Sequence, residues 1–580
     1  MEERLPEDPL VVEPVHSIGK YGGTWRRLII YPTDTGMLRY LGYEPLARWD
    51  RTARNVVPGL AKSWDIRDEG KTYAFRLRRG VRWSDGHPFT SEDILFWYED
   101  MASNKDLHPV FPFVPDGNHF TVTAPDSYTV EFHFQRPNGI FLETMAFRGG
   151  WMYAPKHYLK QFHVRYADHK ELKKKARKIG YDVWHRLFLK KSDLNHNPDL
   201  PTVRPWKISV PPPATQYIVE RNPYYWKVDP EGNQLPYIDR IRNTVMQDVE
   251  MISLKIMNGE SDMQASYMDT GKYTLYMENR ERGNYQVTGD LRSTFGVYVN
   301  QYSKDPALRP LLQDRRFRIA LSVALNREEI IELAFLGLAE SARGVSCADD
   351  PYYLPEFDGQ YLDYDPERAN RLLDELGLQR GRDGMRRMPN GKPFRQLLYW
   401  SPEESLISEL WELVVEYWRE VGLHFILKPE ARALFRLRGE NGDTNFFAYA
   451  LAETHWVLQP VLYVPFSSIF RPAPLYGTYI ATGGEAGVEP PPEFRRLVGW
   501  YRELARTVGN EERKLELGRR ILGQWAQECY FIGIVRDQQL WVRSKRFKNV
   551  PDHLVWVYVV MPPGYVGPEQ FYIDEETQGP

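Results

Sequence analysis

A chain of 580 residues is too long for one hydrophobic core and long enough for three compact units. Its 42% hydrophobic and 26% charged residues are ordinary for a globular protein, and no apolar run approaches the length that spans a bilayer. The formal charge of −3 supplies no field to gather nucleic acid or an anionic membrane.

Composition departs from the ordinary only in its aromatics: 17 Trp, 36 Tyr and 27 Phe, of which most serve cores and a handful suffices to line a pocket. Cys347 and Cys529 read as buried thiols, with a bridge between them as the alternative. In chain order, Trp25 to Tyr31 reads as a strand, Pro32 to Gly36 as a polar loop, and a helix then leads to YEPLARWD at 43–50. A hairpin follows: Trp64 and Ile66 alternate, Asp68-Glu69-Gly70 turns, and Tyr73, Phe75 and Leu77 alternate on the return. Asp85-Gly86 turns again, and Thr90 caps a helix with Asp93 in a capping-box position.

Short β runs at Phe120–Val122 and Tyr128–Phe134 precede a charged helix over Lys170–Lys178. TQYIVERNPYYW (215–226) and Ile238–Gln247 read as strands, and a helix containing Ser253 to Met257 ends at Gly259. From about 296 the texture is more helical. DRRFRIALSVALNREEIIELAF (314–335) splits at Asn326-Arg327, and YDPERANRLLDELGL (364–378) is amphipathic with Pro366 in its first turn. The Arg-, Gly- and Pro-rich segment 380–395 reads as an exposed loop, followed by the strand FRQLLYW (394–400), a helix from Ser405 to Gly422, and the strand HFILKPE. ILGQWAQECYFIGIVRDQQLWVRS (521–544) is a helix followed by strands. Strands alternating with helices predict mixed α/β domains.

The segment VPGLAKSWDIRDEGKTYAFRLRRGVRWSDGHPFTSEDILFWYED (57–100) resembles the signature of the family 5 extracellular solute-binding proteins, the dipeptide- and oligopeptide-type receptors of ABC importers. Phrases related to ERNPYYW at 220–226 and Gly259-Glu260-Ser261-Asp262 occur in the same order in that family, so the resemblance covers nearly the whole chain. It implies an α/β, two-lobed periplasmic-binding-protein-like (type II) architecture with an extra domain. The expected division is 1–52 with 206–295 and 533–580 as a discontinuous domain I, 53–205 as the extra domain II, and 296–532 as domain III. The ligand is then expected between the lobes, enclosed by hinge closure. The resemblance also implies an extracytoplasmic protein, a membrane permease as partner, a monomer, and no nucleic acid. The start MEERLPEDPLVVEP has no basic-plus-apolar signal segment, so the expectation is a mature form.

Catalytic signatures such as HExxH, GxSxG, a P-loop or a CxxC pair are missing, which favours binding over catalysis. The histidines between 101 and 200 lack the close spacing of a metal site, so neither metal nor cofactor is expected. Ligand chemistry turns on NFFAYALAETHWVLQP (445–460). There Ala452-Glu453 falls on the family's Ala-Asp pair, whose carboxylate meets a peptide ammonium, while Gln459-Pro460 lacks the acidic residue of the family's second pair. Glu453 is thus a ligand carboxylate or a surface or lobe-bridging one. Trp456, Trp400, Tyr476 and Tyr479 (in the loop PLYGTY) are aromatic candidates, with a core role as the alternative for each. Tyr298, Asn300 and Asp34 are placed near the expected cleft by family order. An oligopeptide is the family's usual ligand. An oligosaccharide or sugar-derived compound is the competing ligand, and a metal complex or an enzymatic role stands behind both.

Overall fold

In the computed structural model, which describes residues 4–31, 41–108, 117–402, 407–452, 454–555 and 563–575, the chain divides into two units, 1–290 with 539–580 and 291–538. In the first unit, strand β1 (Thr24–Ile29) buries Trp25, Leu28 and Ile29. The helix expected before YEPLARWD falls largely on residues 32–40, outside the described residues. The predicted hairpin is β2 (Ala61–Arg67) and β3 (Thr72–Leu77), with Trp64 opposite Phe75 and Glu69 and Gly70 at positive φ in the turn. Helix α1 (Ser91–Phe96) starts on the predicted capping box, whose buried Asp93 carboxylate also accepts from Trp83 Nε1 (3.1 Å) and Lys156 N (3.1 Å). Burial pushes that carboxyl up to about 6 in spite of these hydrogen bonds.

Strands β4 (Phe120–Asp126) and β5 (Thr129–Phe134) complete an antiparallel sheet in the order β2-β3-β5-β4, packed on an aromatic core that includes Phe75, Phe132 and Phe141. Helices α2 (His169–Lys178) and α3 (Trp184–Lys191) pack on each other and turn Leu172, Ala176, Leu187 and Phe188 inward. A separate sheet joins β1 to β6 (Trp206–Val210), β7 (Gln216–Arg221) and β8 (Arg240–Val245) in the order β1-β8-β7-β6, with β1 and β8 parallel. Helix α4 (Val249–Met257) follows, capped by Asp248. Asp262 of the Gly-Glu-Ser-Asp phrase is fully buried and ties Arg26 of β1 (Nη2, 2.8 Å) to Arg546 (Nη2, 2.9 Å). That phrase is therefore a structural strut. A second buried cluster joins Lys227 to Glu44 (3.0 Å) and Glu569 (2.8 Å), with Tyr225 donating to Glu44 (2.6 Å).

The chain enters the second unit within β9 (Tyr285–Val299). Helices α5 (Arg315–Val323) and α6 (Arg327–Phe335) divide at the Asn326 cap, as the sequence predicts. Strand β10 (Arg395–Trp400), helix α7 (Ser408–Glu420), strand β11 (His424–Pro429), helix α8 (Arg432–Glu440) and strand β12 (Phe446–Ala452) alternate. The pairing is non-sequential: β10 lies between β11 and β12, parallel to both, while β12 runs antiparallel to β9. Phe394, Trp411, Trp418, Phe425 and Phe446 fill the core beneath. Helices α9 (Pro474–Ala481), α10 (Pro492–Arg506) and α11 (Glu511–Glu528) lead to β13 (Phe531–Ser544), within which the chain returns to the first unit.

Two expectations change. The 380–395 segment is no simple exposed loop: Arg386 is buried and donates to Val421 O (2.7 Å), Asp374 (2.6 Å) and Asn370 Oδ1 (2.7 Å). An arginine can be buried when its donors are met in this way. PLYGTY is helical rather than a loop, since Pro474 occupies the first turn and Thr478 Oγ1 bonds back to Pro474 O (3.0 Å). Cys347 and Cys529 form no disulfide; Cys529 is buried as expected, whereas Cys347 is only half-buried.

Candidate functional site

Parallel strands each followed by a helix place their connecting loops at the carboxyl ends of the strands, where α/β sheets receive ligands. In the second unit that edge is built by the segments after β10, β11 and β12. Trp400 ends β10, and its carbonyl accepts from the amide of Glu430, the first residue after β11 (3.0 Å). Trp400 and Glu430 are each 8% exposed and the adjacent Ser401 is 1% exposed. Among the described residues, Trp400 Nε1, Ser401 Oγ and Glu430 Oε2 have no hydrogen-bond partner. Glu430 Oε1 faces Arg438 Nε of α8 at 2.9 Å, and that guanidinium lies 5.9 Å from the Tyr399 ring. One edge thus gathers an indole donor, a hydroxyl and a free carboxylate oxygen, all withdrawn from water. Buried polar atoms without partners cost stability unless something else meets them.

The sequence candidates scatter around this frame. Trp400 stands on the edge, but Glu453 and Asp34 lie outside the described residues. Glu453 directly follows the last residue of β12, and Thr454 and His455 beyond it are buried, His455 with left-handed backbone (φ 55°). Trp456 is buried in an aromatic row, 5.7 Å from Tyr352 and 5.2 Å from Tyr463. Tyr298 packs on Phe531 at 4.6 Å. Asn300 ties the end of β9 to Thr444 O (3.0 Å) and Tyr302 N (2.9 Å). Tyr476 is buried on α9, 5.8 Å from Tyr302, and Tyr479 is half-buried one turn later.

These last residues mark the opposite end of the sheet. Ser293 pairs with Ala452 and Val299 with Phe446, six residues apart, or about 20 Å along the strand. At that far end lies a cavity of about 1560 Å³ lined by Tyr302, Arg309, Tyr476, Glu493, Trp500 and Arg519, among others. Its charges are largely matched from within, as in Arg495–Glu489 (2.7 Å) and Arg318–Glu528 (3.1 Å). Arg519 Nε on its wall is also without a hydrogen-bond partner among the described residues, but three such groups meet at the carboxyl edge, and these with the strand-end geometry favour that edge. Sequence reasoning missed Ser401, Glu430 and Arg438. Ser401 was detectable as a polar residue just past a predicted strand that precedes a predicted helix.

The two α/β units have the fold of the periplasmic binding proteins. The model of the bacterial extracellular solute-binding proteins, family 5 (middle), matches residues 55–468. The chain belongs to that family. It is similar to a solved oligopeptide-binding protein OppA, with 37% identity, a TM-score of 0.81, and coverage of 99% of this chain and 94% of that one. It is 26% identical to the periplasmic alpha-galactoside-binding protein of Rhizobium meliloti over 95% of this chain and 82% of the relative. A periplasmic binding protein MelB from Agrobacterium fabrum, solved with stachyose, shares the fold with a TM-score of 0.75 at 20% identity, covering 100% of this chain and 89% of that one.

Proposed function

We propose that the chain is the substrate-binding component of an ABC importer, working outside the cytoplasm as a monomer and delivering an oligopeptide to a membrane permease. The observation that carries the site is the set of buried, unpartnered polar atoms at the carboxyl edge of the second unit: Trp400 Nε1, Ser401 Oγ and Glu430 Oε2. A peptide backbone offers carbonyls to the indole N–H and amides to the carboxylate oxygen. Glu453, next in sequence after β12, is proposed to pair with the ligand ammonium, because an enclosed ammonium needs a charged partner. The finer division of the first unit, with 53–205 as an inserted domain, is part of this reading; its support is that the sheets β2-β3-β5-β4 and β1-β8-β7-β6 are separate.

A second reading takes an oligosaccharide. Its support is the similarity to an alpha-galactoside-binding protein along nearly the full chain, and the same three polar groups suit sugar hydroxyls. Thermal-shift screening separates the two, since a ligand at a hundred times its Kd adds about 2.7 kcal/mol of stability. Stabilisation by peptides and not by alpha-galactosides supports the first reading, and the reverse overturns it. Glu453→Gln is expected to weaken free peptides strongly and spare N-acetylated ones. Equal loss on both removes Glu453 from that role.

A further inference from the structure

The small net charge of the chain conceals one strongly basic element. Residues 169–191, the α2–α3 helical hairpin of the first unit, hold nine Lys and Arg against only Glu171 and Asp182, in a chain whose formal charge is −3. Leu172 and Ala176 face inward, and Lys170, Lys173, Lys174, Lys175, Arg177 and Lys178 are all exposed. Nearby acids answer little of this charge: Glu171 lies 3.8 Å from Lys174, Asp182 3.6 Å from Arg177 and Asp199 3.9 Å from Lys191. Among the described residues, Lys170, Lys173, Lys178, Arg186 and Lys190 take part in no ion pair.

Charge alone would describe a solvated face. The turn between the helices adds a second, independent feature. It reads Ile179-Gly180-Tyr181-Asp182-Val183, and Ile179, Tyr181 and Val183 are 45%, 37% and 41% exposed. Gly180 takes positive φ (83°) to close the turn. The amides of Ile179 and Tyr181 both donate to Ala176 O, at 3.1 and 3.0 Å, and that of Gly180 donates to Arg177 O at 3.1 Å. The tip therefore presents apolar side chains over a backbone whose first three amides are already satisfied. Such a tip can enter a less polar medium without stranding those donors.

We propose that the α2–α3 hairpin docks on an anionic phospholipid surface, its lysines on the headgroups and Ile179, Tyr181 and Val183 at the headgroup–acyl boundary. Charge complementarity selects the anionic surface, and the apolar tip selects a bilayer over nucleic acid, whose charged backbone offers it no apolar phase. Docking there would hold a solute receptor at the membrane, and it is independent of which solute is bound. The full chain is tested by flotation with phosphatidylglycerol-rich vesicles and with pure phosphatidylcholine vesicles. Binding is expected only to the former, falling with added salt. Each lysine near such a surface is worth about fivefold in affinity, so Lys170→Gln, Lys173→Gln, Lys174→Gln and Lys178→Gln together are expected to weaken binding at least a hundredfold. Ile179→Ser with Tyr181→Ser and Val183→Ser is expected to weaken it about tenfold or more while keeping its salt dependence. All substituted side chains are exposed, and an unchanged thermal melt confirms folding. Equal binding to both vesicle types, an undiminished quadruple variant, an undiminished tip variant, or capture by double-stranded DNA without vesicle binding overturns the proposal.

Discussion

Replacing Lys227 by Met tests the buried charge cluster of the first unit. The Lys227 ammonium is 1% exposed, 3.0 Å from Glu44 and 2.8 Å from Glu569, and those carboxylate side chains are 3% and 2% exposed. Burial raises the Glu44 carboxyl above its ordinary value, outweighing the pull of Lys227. Glu569 is also pushed up by burial, yet it ends below its ordinary value because Lys227 and Arg48 together outweigh that burial. Glu569 therefore contributes stability that is present above its unfolded value of 4.5 and is lost as pH falls through its folded value. Glu44 has the opposite sign: its contribution is present below 4.5 and is lost as pH rises through its folded value. Lys227→Met leaves two buried carboxylates with Arg48, which acts on both, and Arg51, which acts on Glu569, as neighbouring cations. Breaking a buried pair by removing one partner costs about 3–5 kcal/mol. Without the ammonium both carboxyls move up, so protonation relieves the variant as pH falls, and the loss near pH 5 is expected to be smaller than near pH 7 by at least about 1 kcal/mol. Urea unfolding followed by tryptophan fluorescence, with the transition of the first unit fitted separately, reads both values. Adding Glu569→Gln to Lys227→Met is expected to recover part of the loss. A loss under about 1 kcal/mol, or one that does not change with pH, would mean that Lys227 does not hold the two buried carboxylates.

Three further predictions follow from the same geometry. Asp262→Asn removes the charge shared by Arg26 and Arg546 and is expected to cost about 3 kcal/mol, read by the same unfolding assay. Asp93, with its carboxyl raised from 3.8 to about 6, contributes up to about 3 kcal/mol that is present below 3.8 and lost as pH rises through 6; Asp93→Asn is expected to flatten that slope between about pH 4 and pH 6.5. Arg386→Ala is expected to destabilise the second unit by about 3 kcal/mol, whereas Arg382→Ala, on the exposed part of the same segment, is expected to change it by under about 0.5 kcal/mol.

Local rules made much of the fold legible. The 61–77 hairpin, the Thr90–Asp93 capping box and the Asn326 break between two helices all rest on interactions within a few residues of each other. What stayed hidden is non-local. Nothing in FRQLLYW, HFILKPE or NFFAYALA shows that the first lies between the other two, so the shared edge of Trp400, Ser401 and Glu430 emerges only once the strands pair. Trp400 was reachable as an aromatic at a strand end. Glu430 was masked by the abundance of acidic residues, and Tyr298 and Asn300 were drawn in by family order although they serve packing and a strand end. Arg386 looked exposed because arginine-rich, glycine-rich segments usually are, and only its converging carbonyl and carboxylate partners make its burial affordable. The charged helix over Lys170–Lys178 was legible, but its packing on a second basic helix and the exposed apolar tip between them were not, because both depend on the turn at 179–183.

This chain is proposed to be a solute receptor whose ligand meets the carboxyl edge of its second unit. Calorimetric titration of the purified chain and of Trp400→Ala with a mixed oligopeptide set and with alpha-galactosides tests it most directly. Saturable binding of one class is expected, weakened at least about tenfold in Trp400→Ala with the fold intact. Binding of neither class, or binding that Trp400→Ala leaves unchanged, would contradict it.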